Sequence, residues 1–288
     1  LPPIAPLGFV INWVDVFPHT GPYGTAVYRM TDQRHRQSTR DGRSSLVVRF
    51  TSCGLPATCS FLWLERTGLP PVLLHRYASW MIWNRPGTGF AFVGRRDESR
   101  AYPRSIYVYT LDPLQLLRRI DIDPTDYAWS PLGGSLAIVG RVETRGRRDV
   151  EQPLGIFIVP AHGTSLRLID LVPPRPDPRV PGLTWSPDVP GISWSPDGRF
   201  IVYAVVQSGA SRGETYAADL VVATAHGSGR QRLTNTPYIV ETWPRWVKVN
   251  QIVTLRTHMR VTGRLPRGVL VLEAERREGA VLNLAVPR

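Results

Sequence analysis

Trp194-Ser195-Pro196-Asp197-Gly198-Arg199-Phe200-Ile201-Val202-Tyr203 decides how the rest of the chain is read. It spells a strand end, a tight turn and a second strand. Pro196 presets φ for the turn, and Gly198 takes φ > 0 without a Cβ penalty. Beyond the turn, Phe200, Val202 and Ala204 alternate with Ile201, Tyr203 and Val205. Both sets are apolar, which predicts a strand covered on both faces.

The same unit recurs in both directions. Toward the N-terminus lie Trp129-Ser130-Pro131-Leu132-Gly133 before Leu136-Ala137-Ile138-Val139, and Trp83-Asn84-Arg85-Pro86-Gly87 before Phe90-Ala91-Phe92-Val93. Arg40-Asp41-Gly42-Arg43 leads into Leu46-Val47-Val48-Arg49-Phe50 in the same order. A degraded copy begins at Trp243-Pro244-Arg245-Trp246. Each copy is followed by two further short apolar runs, the last two being Val269-Leu270-Val271-Leu272 and Val281-Leu282-Asn283-Leu284. The turn glycines Gly42, Gly87, Gly133 and Gly198 stand 45, 46 and 65 residues apart. Periods near 45 with four short strands each are the mark of propeller blades, whose sheets bury both faces only by packing round an axis. The expected fold is all-β: a β-propeller of six blades, with five full four-stranded repeats and a partial N-terminal blade, or five blades as the alternative. Residues 7–31 read as the hairpin of that partial blade and residues 32–40 as a polar stretch. The strands near Val281 are expected beside the hairpin. Residues 1–6 read as a proline-rich leader and 7–288 as one domain. The long interval holds a proline-rich insertion, 173–190, with a second Trp185-Ser186-Pro187-Asp188.

The run Ile192-Ser193-Trp194-Ser195-Pro196-Asp197-Gly198, two strands, then Arg232-Leu233-Thr234 resembles the repeat of TolB-type β-propellers. The likeness is close in this unit, fair at Trp129 and Trp83, and weak at Arg40 and Trp246. It covers the propeller only, since no helical pattern supplies the α/β domain that TolB carries. The resemblance implies a six-bladed extracytoplasmic propeller that binds other proteins. The same repeats also accompany prolyl-peptidase-like hydrolases as non-catalytic domains.

Net charge is +12, from 35 basic and 23 acidic residues, and Lys248 is the one lysine. Arginine on this scale suits phosphate binding, but the arginines are scattered over expected loops, which argues against nucleic acid and for unspecific attraction to anionic surfaces. No apolar run approaches the roughly 20 residues that cross a bilayer. Cys53 and Cys59 flank a turn containing Gly54, Pro56 and Ala57. Two cysteines alone make no zinc site, and a short loop between strands can close as a disulfide in an oxidising compartment.

The chemical motifs weigh toward structure. Gly209-Ala210-Ser211-Arg212-Gly213 matches G-x-S-x-G but lacks the strand-to-helix setting of a nucleophile elbow. Asp121, Asp123 and Asp126 form a weak cation candidate on a polar inter-blade connection. The six histidines (His19, His35, His75, His162, His226, His258) show no metal-ligand spacing and are expected in loops or at strand ends. The repeat positions Asp41, Gly42, Trp83, Gly87, Trp129, Gly133, Trp194, Pro196, Asp197, Gly198 and Trp246 are assigned to folding. Contacts are expected on long loops, at Arg96, Arg147, Arg148, Pro174, Arg175, Pro176 and Arg179. The resulting expectation is a non-enzymatic, extracytoplasmic module without a cofactor, working by protein binding or self-association. The alternatives are a peptidase-associated or channel-site enzyme, and polyanion or glycan binding through arginine-rich loops.

Overall fold

A strand that is apolar on both faces must lie between two neighbours, and this requirement explains the arrangement of the sheets. The computed structural model describes residues 35–52, 58–95, 104–142, 154–172, 191–207, 217–236, 239–264 and 270–284. Every regular element among them is a strand. Unit one is an antiparallel meander of β1 (His35–Ser38), β2 (Ser44–Ser52), β3 (Thr58–Arg66) and β4 (Leu69–Arg76). Unit two repeats it with β5 (Ala78–Trp83), β6 (Gly89–Arg95), β7 (Arg104–Thr110) and β8 (Gln115–Ile120). Unit three follows with β9 (Ile122–Trp129), β10 (Ser135–Val142), β11 (Leu154–Pro160) and β12 (Arg167–Val172). Unit four comprises β13 (Ile192–Trp194), β14 (Phe200–Gln207), β15 (Ala217–Thr224) and the short β16 (Gln231–Arg232). Unit five has β17 (Ile239–Lys248), β18 (Gln251–Arg264) and β19 (Leu270–Asn283), joined to unit four by one parallel pair, Ala218 with Val240.

The core lies between units rather than within them. Successive side chains of a strand point to opposite faces. Leu136 and Ile138 of β10 therefore pack toward unit two, with Ala91, Val93, Ile106 and Val108. Ala137 and Val139 of the same strand pack toward unit four, with Ile192, Ile201, Tyr203 and Val205. Leu46, Leu62 and Leu64 meet Phe90 and Phe92 between units one and two, and Val202 and Ala204 meet Val240 and Ile252 between units four and five. Each fully buried aliphatic side chain contributes about 1.5–3 kcal/mol, so every unit is stabilised mainly by its neighbours.

The tryptophans add direction to this packing. The indole N–H of Trp83 donates to the Gln37 carbonyl at 2.9 Å, that of Trp129 to Ile82 at 3.2 Å and that of Trp194 to Ala128 at 3.1 Å. Each acceptor immediately precedes the corresponding position of the preceding unit, so Ser38 stands in unit one where the others carry tryptophan. Trp246 breaks the chain of bonds: its indole N–H is buried without a partner among the described residues.

Three differences from the sequence reading have backbone causes. A strand, β1, runs through the polar stretch 32–40, pairing His35 with Val48 through Ser38 with Ser45. The two C-terminal runs are one strand, β19, which pairs with β18 from Gln251–Asn283 to Arg264–Leu270. Among the described residues unit five thus has three strands where the repeat called for four. An antiparallel ladder needs only backbone groups, so the charged segment Glu273-Ala274-Glu275-Arg276-Arg277-Glu278 does not interrupt it. Finally, Asp123 and Asp126 lie within β9 and not in a connection. The leader, the N-terminal hairpin and the insertion 173–190 fall outside the described residues.

Candidate functional site

The inner strands β1, β5, β9 and β13 each end in the same turn. In unit four the Gly198 N–H donates to the Ser195 carbonyl at 2.9 Å, and the Ser195 N–H to the Phe200 carbonyl at 2.9 Å. The Ser195 hydroxyl accepts from the Phe200 N–H at 2.9 Å and donates to Asp197 Oδ1 at 2.5 Å, while the Arg199 N–H reaches the same oxygen at 3.1 Å. Thr39, Asp41, Gly42 and Arg43 reproduce this pattern in unit one. Ser130 and Asn84 play the part of Ser195 in units three and two, accepting the N–H of Ser135 and Gly89 at 3.1 Å. First-position Ser, Thr or Asn and fourth-position Gly build the turn. The second position is left to face outward; the third ties the turn where it is Asp, as in units one and four, and has no such bond where it is Pro86 or Leu132.

Because the inner strands run in the same sense, these turns share one face. Those middle positions line a hollow of about 500 Å³: Arg85 and Pro86 from unit two, Pro131 and Leu132 from unit three, Pro196 and Asp197 from unit four. Leu132 is 88 % exposed. Burial alone would raise the Asp197 carboxyl, but the Ser195 hydroxyl and the Arg199 N–H outweigh it and hold the group below its ordinary value, so it is ionised at neutral pH. The hollow therefore has three rigid proline rings and a leucine between one cation and one anion. Sequence reasoning assigned Pro196 and Asp197 to the turn alone and passed over Arg85, Pro86, Pro131 and Leu132. A leucine in a slot filled elsewhere by Asp or Pro was the available signal.

The other residues singled out in the sequence go elsewhere. Asp121, Asp123 and Asp126 do not converge, which corrects the cation reading. Asp121 pairs with Arg119 at 2.7 Å, Asp123 with Arg104 at 2.7 Å, and buried Asp126 accepts the N–H groups of Tyr127 at 2.8 Å and Ile192 at 2.9 Å. No group of three or more His, Cys, Asp or Glu is placed for a metal among the described residues. His75, near the end of β4, is packed against Phe92 and Tyr107, and burial lowers its pKa. His258 pairs with Glu278, and His226 lies 3.1 Å from Arg167. Gly163 and Gly227, next to His162 and His226, take φ of +84° and +86° as turn residues. Many arginines of the sheets are committed to carboxylates, among them Arg36 and Arg49 on Glu65 and Arg256 on Glu241. Cys59 is buried and is not a free thiol. Cys53, Ser211 and the loop residues Arg96, Arg147, Arg148, Pro174, Arg175, Pro176 and Arg179 fall outside the described residues. Three strained aromatics were not foreseen: Tyr77, at φ of 63°, and two tryptophans, Trp80 and Trp243, each three residues before the repeat tryptophan, at φ of 46° and 54°. Both tryptophans mark a bulge in an inner strand, and the Tyr127 hydroxyl donates to the Trp80 carbonyl.

Consecutive antiparallel meanders, packed face to face with their first strands innermost, define a β-propeller. No protein-family model and no curated relative matches the chain. Solved structures do. The β-propeller domain of the Trilobed protease from Pyrococcus furiosus aligns with a TM-score of 0.53 at 13 % identity, over 86 % of this chain and 67 % of that one. Acylaminoacyl peptidase from Pyrococcus horikoshii aligns with a TM-score of 0.50 at 10 % identity, over 85 % of this chain and 39 % of that one. A TolB-like protein from Agrobacterium tumefaciens aligns with a TM-score of 0.43 at 13 % identity, over 88 % and 90 %. The resemblance is to the propeller fold, and this chain spans well under half of the peptidase.

Proposed function

We propose that this propeller is a non-enzymatic protein-binding module that works outside the cytoplasm and receives its partner on the turn face. The observation that carries the reading is Leu132, which stands 88 % exposed in a rim of prolines at the position where units one and four carry an aspartate that ties the turn. Proline and leucine offer apolar area at little entropic cost, and Arg85 and Asp197 supply a polar border. An apolar centre with a polar rim is how protein interfaces concentrate their affinity. The lining offers a partner one guanidinium, one carboxylate and otherwise mainly carbon, which suits binding better than chemistry. The extracytoplasmic setting is supported by Cys59: a Cys53–Cys59 bridge would close the β2–β3 connection and would persist only where thiols are oxidised.

The test is capture of cross-linked partners from an extract of the source cells. Wild-type protein is expected to retain a partner that Leu132→Asp loses by about tenfold or more, as for a central interface residue. Leu166→Asp, a change on an exposed leucine before β12, is the control and keeps the partner. Capture indifferent to Leu132→Asp overturns the reading.

A further inference from the structure

We propose that the partner on the turn face is a second copy of this chain, docked about a two-fold axis that lies in the plane of contact and passes over Leu132. This rests on the reading of the turn face as a binding surface, and it names the occupant.

The argument is the order of groups along the rim. Units follow one another round the propeller, so Arg85, Leu132 and Asp197 lie in sequence along an arc: cation, apolar knob, anion. A two-fold axis through the middle of that arc reverses it. Arg85 of one copy then faces Asp197 of the other, and Asp197 faces Arg85. The two Leu132 side chains meet between the proline rings of Pro86, Pro131 and Pro196. A surface whose charges change sign on reversal is its own complement, which is the condition for an isologous dimer.

The charged groups are available for this. Asp197 takes both of its local hydrogen bonds on Oδ1, which leaves Oδ2 to accept from a guanidinium. Arg85 is exposed. Arg199, the other cation of this tip, lies over the Phe200 ring at 5.5 Å and is not part of the lining. Matched charges at a rim mainly select the partner and set the salt dependence, while the leucine pair supplies the buried apolar area.

The test is sedimentation or light scattering over a concentration series at low and high salt. The mass is expected to rise from 32.3 kDa toward twice that value with concentration, and less so at high salt. Leu132→Asp is expected to weaken association by about tenfold or more. Arg85→Glu and Asp197→Lys alone each set like charges against one another, twice per dimer, and associate poorly. Mixed together they form a heterodimer in which Glu faces Lys and the native Asp faces Arg, so mixing restores association. Misfolding cannot produce that rescue. A monomer at every concentration overturns the proposal and leaves the binding face to the capture experiment. A dimer that ignores Leu132→Asp, or shows no rescue on mixing, uses another surface and overturns it equally.

Discussion

Asp126 is a carboxylate without access to water, held between the inner strands of units three and four. Its oxygens accept the N–H groups of Tyr127 and Ile192, and burial pushes its pKa up to about 6 against the attraction of Arg245. The folded protein thus binds this proton more tightly than the unfolded chain, whose Asp titrates near 3.8. Between these values the native state carries more protons, so the contribution of Asp126 is fully present below pH about 4 and is lost as pH rises through about 6. The loss is on the order of 2–3 kcal/mol. Asp126→Asn removes the titration and also one of the two acceptors. Urea unfolding of both proteins from pH 4 to pH 7.5 is expected to show a stability gap that is widest at the acid end and narrows toward neutrality. A gap constant with pH would mean that another group titrates. Nothing in the sequence around Asp126 announces this, because the N–H of Ile192 arrives from 66 residues away.

The turn is the element that the sequence describes best, since its first and fourth residues act on one another over three positions. Its surroundings are less local. Gly133 and Gly198 share the same left-handed backbone, at φ of +72° and +73°. A Cβ at Gly198 would meet Pro131 Cδ at 3.6 Å, an ordinary contact, so Gly198→Ala is expected to cost about 1–2 kcal/mol for the backbone alone. At Gly133 a Cβ would lie 3.0–3.2 Å from Nδ2, Cβ and Cγ of Asn84, the residue that closes the turn of unit two. Gly133→Ala must displace Asn84 and is expected to cost about 1 kcal/mol or more beyond Gly198→Ala. Thermal or urea unfolding of the pair decides it, and equal losses would show that the turns do not lean on one another. The same distance explains what was legible. Strand alternation and turn chemistry are local and were readable, whereas the hollow is assembled from turns 46 and 65 residues apart and was not. The strands β1 and β19 were obscured because their pairing uses backbone groups that polar side chains do not advertise.

At the scale of the whole molecule, stability passes between units, and the joint of units four and five adds a buried cluster of two acids and their partners to its apolar contacts. Asp219 and Glu241 are both 0 % exposed. The Thr234 hydroxyl donates to Glu241 Oε2, lies 3.4 Å from Asp219 Oδ1 and accepts the Leu220 N–H at 2.9 Å. Arg232 and Arg256 complete the cluster from either side. The Arg232-Leu233-Thr234 run was visible as part of the repeat, but its carboxylates come from other strands. Thr234→Val keeps the shape and removes the one hydroxyl shared by two buried acids. It is expected to cost about 2–4 kcal/mol. Because unit five meets its neighbour at this joint, the loss falls there first, and the fluorescence of Trp243 and Trp246 is expected to change at lower urea than the far-UV signal of the sheets. Thr236 is the internal control. Its hydroxyl is buried with no partner among the described residues, while its N–H donates to Asp219 at 3.1 Å. Thr236→Val removes an unsatisfied group and leaves that backbone bond in place, so its effect is expected to lie within about 0.5 kcal/mol of zero or to be stabilising. The same substitution two residues apart is therefore expected to split into a large loss and none. Equal effects at the two sites, with coincident fluorescence and far-UV transitions, would show that the polar cluster does not hold unit five to the rest of the propeller.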